Sequence, residues 1–214
     1  MGVSTPPDTA APRRRGPVPR ISAEKIAEAV LTIGFDKASV TAVAEELGVT
    51  HAALYRYIGD RDGMMRAALV LATGRWTWPE LVDDWREVLW NESRSWWAFC
   101  QQHSGFVAVL ATTPGMPLPM SQRTMRVAVH LESRGLAARD ALMVVDLLVD
   151  AIHDIFHRAQ QREGVIDQAI HMSEEDAAAH LAGVPDDMVE VVISALIGDP
   201  WPWFAAKLEL VIDG

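Results

Sequence analysis

The stretch SVTAVAEELGVTHAALYRYI, Ser39 to Ile58, narrows the fold more than any other part of the chain. It reads as two short helices joined by a tight turn. Ser39 is placed to cap the first, whose Val40, Val43, Ala44 and Leu47 share one face, and Gly48 supplies the turn that a helix end needs. Val49 fills the corner. Thr50 is placed to cap the second helix, His51 to about Tyr57, with Leu54 and Ile58 turned back onto the first. The small Ala44 lets the two helices cross closely. A helix-turn-helix of this kind lays its second helix in a DNA major groove. Thr50, His51, Ala52, Tyr55 and Arg56 are the residues it would present, with Ser39, Thr41 and Tyr57 as further candidates for DNA contact.

Charge bears on that reading. The chain of 214 residues has a net charge of −10, which suits a DNA binder only if it is unevenly spread. Residues 1–66 carry nine Lys or Arg against eight Asp or Glu, while the remainder carries ten against twenty-one. Phosphate attraction must therefore be local, and the acidic remainder should face away from DNA. Half of the residues are hydrophobic, enough for a substantial core. No apolar run is long enough to span a bilayer, and the basic residues near the start precede no apolar segment, so a cytoplasmic protein is expected. A lone Cys100 fits a reducing compartment and a core position.

Residues 1–20 are rich in Pro, Ala and Arg and read as a disordered basic arm. Arg13, Arg14 and Arg15 would either reach DNA or sit in a solvated tail. Ser22 is placed to cap a supporting helix with Ile26, Ala27, Val30, Leu31 and Ile33 on its core face, ended by Gly34 and Phe35. Asp60 is placed to cap another, Arg61 to about Thr73, which sets Arg61 beside the DNA backbone. Trp76, Trp78 and Pro79 break the pattern and mark a boundary near residues 74–79.

With its flanks, the segment ISAEKIAEAVLTIGFDKASVTAVAEELGVTHAALYRYIGDRDGMMRAAL closely resembles the DNA-binding domain of the TetR family of one-component transcriptional regulators. G-F-D-x-x-S-V, E-x-x-G-V, L-Y-R-Y and the capped D-R-D-G-M fall in family order. The resemblance implies that the helix starting at Arg61 links reader to sensor, with Arg61 where the family usually carries a phosphate-contacting Lys. The later part resembles the tetracycline-repressor branch, through G-x-x-x-x-L-x-T-x-P at Gly105, Leu110, Thr112 and Pro114 and G-L-x-x-R-D-A-L at Gly135–Leu142. Tetracycline-binding members carry a metal-coordinating His just before that Leu. This chain has Val109, so a metal-tetracycline effector is not expected.

From Glu80 onward the pattern is helical throughout. Helices are expected over Leu81–His103, Met120–Glu132, Ala138–Arg162, Glu174–Leu181, Asp186–Leu196 and Trp201–Ile212. A short apolar piece, Gly105–Leu110, is closed by TTPGMPLP, and Gly164–Ser173 reads as a loop. The eight Trp residues are the compositional oddity. Trp85, Leu89 and Trp96 share a face and suit either core packing or an aromatic ligand pocket. Trp85, Trp96, His103, Thr112, Gln122, His130, Asp150 and His153 are the ligand-binding candidates. Asp146, Asp150, His153 and His157 form one stripe of the longest helix, suited to a cavity lining, a polar strip in a dimer interface or a divalent metal. No metal is assigned to it and no cofactor motif is present. Neither G-x-S-x-G, a Gly-rich phosphate loop nor H-E-x-x-H occurs, so an enzyme is not expected.

The expected architecture is all-α. A disordered arm (1–20) precedes a three-helix helix-turn-helix domain (21–74), and a larger C-terminal helical domain (75–214) binds a ligand and dimerises. One recognition helix covers few base pairs, so a homodimer on a pseudo-palindromic operator is expected. By resemblance, helices 138–162 and 201–212 would form its interface. The function expected is a repressor released from double-stranded DNA by a small apolar or aromatic effector. The alternative is a DNA-binding regulator with no small-molecule effector, controlled by a protein partner.

Overall fold

Ser22, Ser39, Thr50 and Asp60 each accept a hydrogen bond from the amide three residues further on, at Lys25, Ala42, Ala53 and Gly63, over 2.7–3.3 Å. These four caps, each contributing about 1 kcal/mol, open α1 (Ala23–Ile33), α2 (Val40–Leu47), α3 (His51–Ile58) and α4 (Arg61–Arg75). The structure is a computed structural model and describes residues 21–170, 183–197 and 199–213. The basic arm and the helix expected over Glu174–Leu181 lie outside the described residues.

α1 lies along α4, and α2 and α3 close over them. Their inward residues, among them Ile26, Val30, Val43, Leu54, Met64 and Leu69, are wholly buried. This core makes a rigid platform from which the outer face of α3 projects.

Six further helices follow: α5 (Trp85–Gln102), α6 (Phe106–Thr112), α7 (Leu118–Ser133), α8 (Ala138–Ile170), α9 (Asp186–Ile197) and α10 (Pro200–Asp213). No strand occurs among the described residues. α8 is the spine, contacted by α5, α6, α7 and α10. Several boundaries differ from expectation, and four of them have a clear cause. α5 starts at Trp85 and not Leu81, because Asp84 caps it through the Arg86 amide (2.9 Å). α6 reaches Thr112, two residues past Leu110, before the prolines stop it. α7 starts at Leu118, taking Pro119 into its first turn, where the missing N–H has no partner to lose. α8 continues through Gly164 to Ile170, where a loop was expected. A single glycine costs a helix only about 1 kcal/mol.

Residues 76–84 cross between the two groups of helices as a fastened strap. The Trp76 indole N–H donates to Ser95 Oγ (2.9 Å), and Arg123 donates to the Pro79 carbonyl (2.7 Å). His130 Nε2 meets the Val82 carbonyl (2.7 Å), and Arg134 pairs with Asp83 (2.5 Å). Arg123 and His130 share one face of α7, and Arg134 follows at its C-terminal cap. A second contact joins the α1–α2 turn to the α5–α6 turn. A Cβ added to Gly105, whose φ is +80°, would lie 2.4 Å from the Asp36 amide nitrogen. Beside it the Phe35 and Phe106 rings meet edge-on at 5.6 Å.

Candidate DNA interface and effector clefts

The turn between α2 and α3 is sharp because Gly48 adopts φ 62° and ψ 40°, a left-handed conformation open to glycine. Val49 N–H then closes onto the Ala44 carbonyl at 2.9 Å, the pattern of a capped helix end. Leu54 is fully buried, so α3 turns its opposite side outward. His51, Ala52, Tyr55 and Arg56 follow one another along that side, all exposed, and Tyr57 projects from its flank. Tyr55 and Tyr57 are 44% and 46% exposed, large aromatic surface held in water by a helix whose inner Leu54 is wholly buried. Ser39 and Thr41 at the start of α2 are exposed, as is Thr50, although the Ser39 and Thr50 hydroxyl oxygens are engaged as caps. Arg61 is exposed at the start of α4. Among the described residues neither Arg56 nor Arg61 is held in an ion pair.

The eight ligand candidates do not converge on one cavity. Trp85 and Asp150 line a cleft of about 490 Å³ with Leu136, Met143 and Leu147. His103 borders a separate cleft between α1, α4 and α5, with Arg75 and Trp76. Burial lowers its imidazole below the ordinary histidine range. His153 lines a third cleft, of about 260 Å³, between α6 and α8. Trp96 is buried in the core. Thr112 and Gln122 are exposed, and the Thr112 hydroxyl donates back to its own helix at the Ala108 and Val109 carbonyls. His130 serves the strap. Between α5, α7 and α8 only about 10 Å³ is open.

The acid-histidine stripe of α8 is divided in the same way. Asp146 and Asp150 face the clefts toward α10, and His153 and His157 face α6. Among the described residues no three His, Cys, Asp or Glu side chains are grouped to hold a metal. Cys100 is a core thiol, pushed up to about 12 by burial.

Two features were missed in the sequence. Glu92 and Arg123, 31 residues apart, form a buried ion pair with side chains 5% and 7% exposed. Burial raises the Glu92 carboxyl above the usual range, and Arg123 draws it part of the way back. The second is His153 Nε2, a buried nitrogen with no hydrogen-bond partner. Burial lowers this imidazole, and Asp150 opposes the shift.

A capped helix-turn-helix on a rigid platform, with an aromatic and cationic outer face, has the geometry of a DNA-binding module. A family profile for bacterial regulatory proteins, tetR family, matches residues 22–68. Among solved structures, ActR of Streptomyces coelicolor in complex with actinorhodin is similar at 24% identity and TM-score 0.67, over 91% of this chain and 96% of that one. A single-substitution variant of TetR from Acinetobacter baumannii AYE, in complex with minocycline, is similar at 16% identity and TM-score 0.60, over 90% and 92%. BioQ with its double-stranded DNA operator is similar at 17% and TM-score 0.55, over 70% and 95%. The comparison with curated proteins gives no match. Residues 22–68 thus carry the DNA-binding domain of the bacterial regulatory tetR family, and the similar solved structures share the fold of the chain beyond it. No helix among the described residues is long and apolar enough to cross a membrane.

Proposed function

We propose that this regulator is a ligand-responsive repressor that binds a pseudo-palindromic operator as a homodimer and leaves it when a small apolar or aromatic effector binds its later helices. The observation carrying the reading is the exposed face of α3, held by a buried Leu54 and continuous through α4 and the strap with the helices beyond. In this reading residues 21–74 are the reader and 75–214 the sensor. Solved structures of similar fold hold actinorhodin, minocycline or an operator duplex, which supports both halves of the assignment.

Homodimerisation is supported by α8 and α10. Leu147, Leu210 and Val211 are 50%, 77% and 42% exposed, and the groove beside them is lined by Val144, Leu148, Phe204 and Leu208. An apolar face of this kind on a pair of helices suits a two-fold helical bundle. A ligand shifts the DNA-binding equilibrium only through unequal affinity for the two states. The strap and the Gly105–Asp36 contact provide the mechanical connection.

The closed core between α5, α7 and α8 favours a second reading, a regulator controlled by a protein partner. The test is selection of bound duplexes from a random library, followed by gel shifts with a panel of aromatic and lipophilic compounds. Tyr55→Ala should weaken binding to the selected duplex with little change in Tm. Release by one of the compounds supports the effector reading; retention on DNA in the presence of all of them supports the partner reading. Unchanged affinity in Tyr55→Ala refutes the placement of α3.

A further inference from the structure

Where α1, α4 and the end of α5 converge, an open cleft of about 570 Å³ falls within the usual ~300–1,000 Å³ of ligand pockets. Leu31 and Ala72 line its apolar part, and Trp76 walls it with a ring tethered through the indole N–H to Ser95. His103 borders it with a ring packed on Phe99 at 4.6 Å, and burial lowers this imidazole, so it is uncharged at neutral pH. The charged side chains on the cleft are Glu28 and Arg75, bonded to each other at 2.6 Å. They are 44% and 51% exposed, so a ligand can reach both. Arg75 uses one nitrogen, Nη2, for Glu28 and for Glu24, and Glu28 uses one oxygen. A guanidinium has several N–H donors and a carboxylate several acceptor positions, so each partner has bonding capacity left.

We propose that this cleft is a further ligand site, for a neutral, flat heteroaromatic lactam whose carbonyl accepts from Arg75 while the adjoining N–H donates to the Glu28 carboxylate. Charge decides the class. An anion drawn to Arg75 would meet Glu28 beside it, and a cation drawn to Glu28 would meet Arg75. An acceptor and a donor side by side on an uncharged ring serve both partners through charge-assisted bonds. The rest of such a ring system lies against Leu31, Ala72 and Trp76, and two fused rings fit the volume. An exposed ion pair contributes little to folding, so its rearrangement around a ligand opposes binding only weakly. The site goes beyond the effector reading above. It joins α1 and the end of α4 to the end of α5, so a bound lactam touches both groups of helices at once, beside the strap.

The probes are 2-quinolone and its N-methyl derivative, the same rings and carbonyl with and without the N–H, titrated calorimetrically into the full-length protein. The parent should bind 2-quinolone about tenfold more tightly than the N-methyl compound, as expected for one hydrogen bond to a charged acceptor. Glu28→Ala removes that acceptor from an exposed helix position, so its unliganded Tm should stay close to that of the parent, and it should bind the two probes alike. Thr32→Trp, which fills the cleft from another exposed position of α1, should weaken both. A parent that binds neither probe, or binds both equally, overturns the proposal. A preference that survives in Glu28→Ala reflects the bulk of the methyl group and overturns the pairing, and undiminished binding to Thr32→Trp overturns the location. None of these results bears on the effector reading, which places its ligand among the later helices and stands or falls on release from DNA.

Discussion

Replacing Arg123 by Met tests the buried pair inside the later helices. Arg123 and Glu92 are both more than nine-tenths buried and bonded through two nitrogens, and Arg123 also holds the Pro79 carbonyl. Removing one partner of a buried pair typically costs about 3–5 kcal/mol, because the other charge is stranded in a medium that solvates it poorly. At about 2–4 °C per kcal/mol for a chain of this length, Tm should fall by roughly 10 °C. The double variant Glu92→Leu/Arg123→Met strands no charge and loses chiefly the bond to Pro79, on the order of 1 kcal/mol. It should recover most of the loss. pH provides an independent check. With the cation gone the Glu92 carboxyl should rise further, so the folded protein holds a proton that the unfolded chain releases near the ordinary carboxylate pKa of about 4.3. Folding then takes up a proton, and the stability of Arg123→Met should increase as pH falls from 7 toward 5. The assay is urea unfolding at several pH values. A double variant as unstable as Arg123→Met, or a gap from the parent that does not narrow on acidification, would refute the stranded-charge argument.

Three other outcomes are expected. Arg61→Ala should weaken binding to all duplexes alike and reduce the slope of affinity against salt by ~1, as expected for one lost phosphate contact; loss of discrimination at a single base pair would contradict that role. Leu147→Asp should convert the protein to a monomer by light scattering and lower its affinity for the selected duplex, since the face it interrupts is the proposed subunit interface. Tetracycline with magnesium should give no magnesium-dependent rise in Tm, because the valine at 109 offers no lone pair to a cation.

The reader was legible because its determinants are local. Each cap acts over three residues, Gly48 marks its own turn, and the burial of Val43, Ala44 and Leu54 follows from helical spacing. The edges of α7 and α8 were not, because proline in a first turn and glycine within a helix are tolerated when neighbouring helices supply the packing. Trp85 and Trp96 shared one helical face on paper and Asp150 and His153 another, yet each pair separated once the helices were crossed. A face is a property of one helix, whereas a cavity belongs to at least two. Glu92 and Arg123 met for a similar reason: nothing in either neighbourhood announces a partner 31 residues away. His130 looked like a pocket residue, but its imidazole is committed to a main-chain carbonyl of the strap.

The glycine at the α5–α6 turn bears on how such a protein is taken apart and rebuilt. Regulators with separate reading and sensing parts invite recombination, one reader grafted onto another sensor at the intervening segment. Here residues 76–84 are held at four points, and the α1–α2 turn also meets the later helices at Gly105, where one extra carbon would collide with the main chain of Asp36. A graft cut at residue 75 would therefore have to import α7 and the α5–α6 turn along with the strap. Chimeras that match only the sequence at the cut should fold as two poorly coupled halves that bind DNA but no longer respond to the sensor.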